Sequence, residues 1–159
     1  MRVRALVVVG AGFLVAALAA PAFAQPPDPW VGTWRLNSAK SKYSPGPAPQ
    51  SSRVTISATP GGIKQTTRTE PLTGPATVAE VSAAFDGKDY PVTGNPNADM
   101  QAFTKIDSHS YQIVSKKGGK VTITSKVVIS PDGKTRTTTQ TGTDAQGRTV
   151  NNTIVYEKV

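Results

Sequence analysis

The only histidine of the chain, His109, stands in Asp107-Ser108-His109-Ser110-Tyr111. A carboxylate, a hydroxyl and an imidazole thus occupy three consecutive positions. These are the groups of a nucleophile, a base and an orienting acid. Their spacing defeats the combination. Neighbours along a strand or turn point to opposite faces and do not converge on one reacting atom. Asp107 and Ser108 are therefore read as hairpin-turn residues. One histidine and no cysteine provide no zinc or transition-metal set. The run Asn95-Pro96-Asn97-Ala98-Asp99 has oxygen ligands but lacks the length and spacing of a calcium loop. Paired carboxylates could do acid–base work, yet Asp86, Asp132 and Asp144 fall in turn positions. Glu80 stands alone in a strand. Gly118-Gly119 is a hairpin turn and not a phosphate loop, because no helix follows it. No cofactor or metal is implied.

Binding chemistry is easier to place. Arg68, Arg136, Tyr111 and Tyr156 are the candidates for a ligand-binding interior. An arginine in a low-dielectric cavity holds a carboxylate bidentately. Tyrosines add hydroxyls and apolar faces. The ordinary alternative, and the commoner outcome for arginine, is that Arg68 and Arg136 are solvent-facing strand residues.

The elements that must position these residues read as all-β. Thr and Val dominate, and turn residues recur. Asp86-Gly87, Gly118-Gly119 and Asp132-Gly133 have the composition of two-residue hairpin turns. Asp144-Ala145-Gln146-Gly147 is a longer one. Ten strands are expected, over 30–36, 52–58, 63–70, 77–85, 88–93, 100–106, 110–116, 120–129, 135–141 and 148–158. The segment 38–50 is an irregular connector, held extended by Pro45, Pro47 and Pro49. Alternation puts Val54, Ile56 and Ala58 on one face of an early strand. It likewise groups Val121, Ile123, Ser125, Val127 and Ile129. Two strands offer no wholly apolar face. The strand over 63–70 is polar on both faces after Ile63. That over 135–141 sets threonines against Arg136, Thr138 and Gln140. A barrel with a partly polar interior accounts for them, as does a pair of strands beside an open mouth.

The N-terminal 24 residues have a different character. Arg2 and Arg4 precede an apolar run, and Ala22-Phe23-Ala24 closes it. That is the layout of a secretory signal peptide cleaved after Ala24. It predicts a periplasmic or secreted protein with no stable membrane anchor. The remaining domain, 25–159, carries 16 basic and ten acidic side chains, a net charge of +6. Its basic residues are scattered, so no nucleic-acid footprint is seen. A small hydrophobic or anionic ligand is the expected partner, and the chain is expected to be a monomer.

Both tryptophans, Trp30 and Trp34, lie at the start of the first strand, the second within Gly32-Thr33-Trp34. Here the chain resembles the lipocalin-like (calycin) barrels, whose first strand opens with Gly-x-Trp. It also resembles uncharacterised small exported bacterial proteins in its Trp30 to Pro49 stretch. The resemblance implies a single antiparallel up-and-down barrel of about eight to ten strands. Trp34 would plug one end, with Gly32 beside it and Trp30 packed at the same end. It further implies a basic side chain over the Trp34 ring, either Lys158 or Arg148. Tyr156 resembles the last-strand tyrosine of fatty-acid-binding-type barrels, although the companion arginine of that pattern is Ile154 here. The function implied is noncatalytic binding of a small hydrophobic or amphipathic molecule. The alternative is a cell-envelope interaction protein that uses its outer surface around a filled barrel.

Overall fold

A computed structural model of the protein describes residues 28–159. The signal-peptide expectation lies outside the described residues. The described residues form ten strands: β1 (Gly32–Leu36), β2 (Ser51–Thr59), β3 (Gly62–Glu70), β4 (Thr77–Ala83), β5 (Asp86–Thr93), β6 (Met100–Lys105), β7 (Ser110–Lys117), β8 (Lys120–Ile129), β9 (Thr135–Thr143) and β10 (Thr149–Lys158). Each pairs antiparallel with its neighbours in the chain. β1 pairs with β10 through Trp34↔Lys158 and Leu36↔Tyr156, which closes the barrel. The fold is a single ten-stranded up-and-down antiparallel barrel. Closure leaves no free sheet edge. Among the described residues the helical structure is a single 3-10 turn, Ser38–Lys40, with Asn37 capping the Lys40 N–H.

Period-2 alternation explains which side chains enter the barrel. On β2, Ser52, Val54 and Ile56 are buried while Arg53, Thr55 and Ser57 face water. On β8, Ile123, Ser125, Val127 and Ile129 are buried. Two residues expected on these faces escape the interior. Val121 is 58% exposed. The β7–β8 register slips between Val114 and Lys116, and Val121 pairs with Lys116 past that slip, near the hairpin tip. Ala58 is exposed where β2 runs out to its turn.

The hairpin around Asp86-Gly87 also differs from the expected two-residue turn. Glu80↔Thr93 and Val81↔Val92 are the pairs that join β4 to β5. Beyond them the two strands part, and the start of β5 follows β6 instead. Asp86 caps this opening, accepting from the Lys88 N–H at 3.1 Å and from the Tyr90 hydroxyl at 3.0 Å. The flare leaves room for Phe85 to pack against the core.

That core sits at one end of the barrel. Trp30, Trp34, Phe103 and Tyr111 are fully buried. Trp30 and Tyr111 meet edge-on at 5.3 Å, and Phe85 lies 5.2 Å from Trp30 and 5.3 Å from Tyr111. Tilted and edge-on contacts suit the ring quadrupoles. The indole N–H of Trp34 donates to the Trp30 carbonyl at 2.9 Å, so the two tryptophans fix each other. Of the two basic residues considered, Lys158 covers Trp34, its ammonium 5.0 Å from the ring centre. Arg148 stands at the far end of the barrel. Gly32 explains itself here. Its φ is +132°, and a Cβ at that position would lie 2.7 Å from Lys158 Cε. A side chain would strain the backbone and displace the lysine. The opposite end of the barrel is a mouth. It is ringed by the β3–β4 loop, the β5–β6 loop, the β7–β8 and β9–β10 turns, and the connector before β2.

Candidate functional site

Above the aromatic plug the inner wall turns polar. β3 contributes Gln65, Thr67 and Thr69, following the parity that Ile63 sets. β9 contributes Arg136, Thr138 and Gln140. β10 contributes Ile154 and Tyr156. Together with Val54, Val81 and Ile113 they line a cavity of about 380 Å3. The wall is therefore mixed, with aliphatic side chains interleaved with hydroxyls and amides.

The connector forms one side of the mouth. After Leu36 it continues along β10, with the Asn37 N–H donating to the Val155 carbonyl at 2.8 Å. Lys42 and Thr153 exchange backbone bonds of 2.7 and 2.9 Å, and the Asn151 N–H donates to the Ser44 carbonyl at 2.8 Å. The prolines then lift the chain off the ladder, as their missing N–H requires. Tyr43, Pro45 and Pro49 are left at the rim of the cavity. Burial pushes the Tyr43 hydroxyl well above the usual phenol range, and the neighbouring Tyr156 adds to it. Across the mouth, Asn97 ties the β5–β6 loop down: its carbonyl accepts from the Thr122 hydroxyl at 2.8 Å and its Oδ1 from the Ala145 N–H at 3.0 Å. Gly94 starts this loop with φ +68°, and any Cβ there would run into the Val78 carbonyl.

Three charged side chains line the cavity. Two neutralise each other at the rim: the Arg148 Nε–H donates to Asp144 Oδ2 at 2.7 Å. Backbone N–H groups of Arg148 and Gln146 also bond that carboxylate. The Arg148 backbone bond comes first among the causes that hold the Asp144 carboxyl below its usual range. The third charge, Arg136, is deep and has no such partner. It is 3% exposed. Its Nη2 points at the Tyr111 hydroxyl at a long 3.4 Å. Its guanidinium carbon sits 5.2 Å from the centre of the Tyr156 ring. Its Nε has no hydrogen-bond partner among the described residues. None of the seven ion pairs among the described residues includes it. Buried polar groups are ordinarily bonded, and an orphaned one costs about 1–3 kcal/mol. Four buried side-chain atoms lack a partner among the described residues. Three of them, Arg136 Nε, Gln65 Oε1 and Thr138 Oγ1, belong to residues of this one cavity. The fourth, Trp30 Nε1, lies in the plug.

The structure separates the four sequence-derived ligand candidates. Arg136 and Tyr156 are opposite one another on β9 and β10 and both line the cavity. Tyr111 stands beneath them, its ring in the plug and its hydroxyl towards Arg136. Arg68 lies outside: β3 turns it to solvent, where its Nη2 pairs with Glu70 at 2.7 Å and its side chain is 58% exposed. It does not reach the cavity. The Asp107–Ser110 segment is a turn, with Asp107 accepting from the His109 N–H and the Ser110 hydroxyl at 2.7 Å each. Sequence reasoning does not single out Tyr43, Gln65 or Thr138 as site residues. The parity of Ile63 marks Gln65 as inward; Thr138 shares a face with Arg136, but β9 has no firmly inward residue to say which face that is. Tyr43 lies in a segment with no period to read.

No protein-family model matches the chain, and no curated protein matches it.

Proposed function

We propose that the protein is an exported, noncatalytic binding protein of the lipocalin-like kind. It holds one small amphipathic anion in its barrel, with the anionic group at Arg136 and the apolar part along Val54, Val81, Ile113 and Ile154. The observation that carries this reading is the Arg136 guanidinium, buried at the base of a cavity with no carboxylate paired to it among the described residues. A carboxylate, sulfonate or phosphate group of a ligand would complete it through two parallel N–H···O bonds. Two further features support the reading. The cavity, about 380 Å3, falls in the range of ligand pockets, which begins at roughly 300 Å3. The barrel end opposite the plug is bordered by loops rather than by packed aromatics. The Gly32-Thr33-Trp34 resemblance to exported barrels agrees with it.

Native mass spectrometry of the protein recovered from its own host's envelope fraction tests this. An acidic adduct that leaves on denaturation, and is missing from an Arg136→Met variant, is the expected result. A bare mass with no uptake from a host lipid extract would move attention to the outer surface as the working part.

A further inference from the structure

The unpartnered polar atoms of the cavity say more than that an anion binds. Arg136 Nε is satisfied by the anionic group of the reading above, on which this inference rests. Gln65 Oε1 and Thr138 Oγ1 are not. Gln65 is 8% exposed and Thr138 5%, so both groups are held within the cavity wall. They come from β3 and β9, two separate parts of the cavity wall. Among the described residues Gln65 makes no side-chain hydrogen bond, and its Oε1 is without a partner. Turning its amide over exchanges donor for acceptor without supplying a partner. Its neighbours on the same wall differ. Ser52 and Thr69 bond each other at 3.2 Å, and Gln101 and Ser115 at 3.1 Å. Those polar residues are internally paired and ask nothing of a ligand.

An alkyl chain laid against Gln65 and Thr138 would seal both groups away unbonded. A hydroxyl, which donates and accepts, completes an amide in either orientation and a threonine hydroxyl as well. We infer that the natural ligand is a hydroxylated organic acid rather than a plain fatty acid. It carries at least one hydroxyl beyond its anionic group, bonded by Gln65 or Thr138. A site that hydrogen-bonds a substrate hydroxyl discriminates against the analogue lacking it, because the site's own polar groups are then left unpaired.

The test is a calorimetric titration of the purified protein with decanoate and with 3-hydroxydecanoate, acids matched in length and charge. The wild-type protein should bind the hydroxy acid about tenfold more tightly, the effect of one completed buried hydrogen bond. Gln65→Leu and Thr138→Val each remove a polar group at nearly constant volume. The preference should shrink in at least one of them, with decanoate gaining affinity. Thermal melts of both variants establish that they fold. Equal binding of the two acids, with Arg136→Met abolishing both, would overturn this inference while sparing the anion site. Binding of neither acid would overturn the anion reading, and this one with it. A preference that survives both substitutions would also refute the assignment to Gln65 and Thr138.

Discussion

Arg136→Met should make the empty protein more stable while removing the anion binding proposed for it. Methionine has a flexible chain that fills the arginine's stem position, so no large cavity opens. Three contributions set the magnitude. Releasing the orphaned Nε removes a cost of about 1–3 kcal/mol. Replacing a buried charged group by an apolar one of similar size is neutral or stabilising by roughly 1–4 kcal/mol where buried ionic groups have been exchanged, and this largely contains the first contribution. Against them stand the loss of the guanidinium–Tyr156 ring contact, about 0.5–2 kcal/mol, and of the weak 3.4 Å bond to Tyr111. The balance is a gain of about 1–2 kcal/mol. For a chain of this size that is roughly 4–8 °C in Tm. Urea unfolding followed by tryptophan fluorescence measures it, since Trp30 and Trp34 are both buried in the plug. The wild-type protein must first be stripped of ligand, because a bound ligand stabilises the folded state by mass action. A loss of about 1 kcal/mol or more at unchanged m-value would be the opposite result. It would mean that Arg136 is a structural member of the barrel, satisfied as it stands.

Further outcomes are expected as well. Trp34→Ala should cost about 3–5 kcal/mol in urea unfolding, as a core truncation at the plug; Lys158→Ala should cost only about 0.5–1 kcal/mol, the value of one exposed cation–ring contact. Gly32→Ala should cost about 1–3 kcal/mol from its positive φ, and pairing it with Lys158→Ala should recover the clash but not the backbone strain, which a double-mutant cycle separates. Arg68→Ala should change stability by less than about 1 kcal/mol and leave ligand affinity untouched, because its Glu70 pair lies on the exposed outer face. Stability should be flat through neutral pH and fall at both extremes, as read by thermal melts across a pH series. Asp86, Asp107, Asp132, Asp144 and Glu157 all have carboxyls held below their usual range, each chiefly by a hydrogen bond donated to it. Their contribution is complete above the unfolded values near pH 4 and is lost as pH drops through the lower folded ones. Tyr43 is shifted upward, chiefly by burial. Its contribution is complete below the unfolded phenol value near pH 10 and is lost as pH rises beyond it.

Most of the barrel is legible because strands and turns are local. Asp132-Gly133 and Gly118-Gly119 mark hairpins, and the ten expected strands end within two residues of those observed. The Asp86-Gly87 hairpin misleads for a non-local reason: β5 is drawn to β6 in its first half, and no pattern within the turn records that. Val121 misleads through a register slip, which period-2 alternation cannot register. The site is harder. Arg68 and Arg136 have similar surroundings in sequence, both in threonine-rich strands. What separates them is parity, since Arg68 is an odd number of residues from Ile63 while Arg136 shares its face with Thr138. That signal requires a firmly placed inward residue on the same strand, which β3 has and β9 lacks. Tyr43 is placed at the mouth by backbone bonds from the connector to β10, a pairing that nothing in its proline-rich neighbourhood specifies. The isolation of Arg136 from carboxylates is a property of the closed barrel alone.

In the proposed reading, Arg136 binds the charge of a ligand inside the barrel. The most direct measurement is a calorimetric comparison of decanoate with 1-decanol, which keeps the apolar chain and removes the charge, on the wild-type protein and on Arg136→Met. The wild-type protein should prefer decanoate by at least about tenfold, the scale of one charge-assisted hydrogen bond, and the variant should lose this preference while still binding the alcohol. Equal affinity of the wild-type protein for both, or a preference for decanoate that persists without Arg136, would contradict that reading.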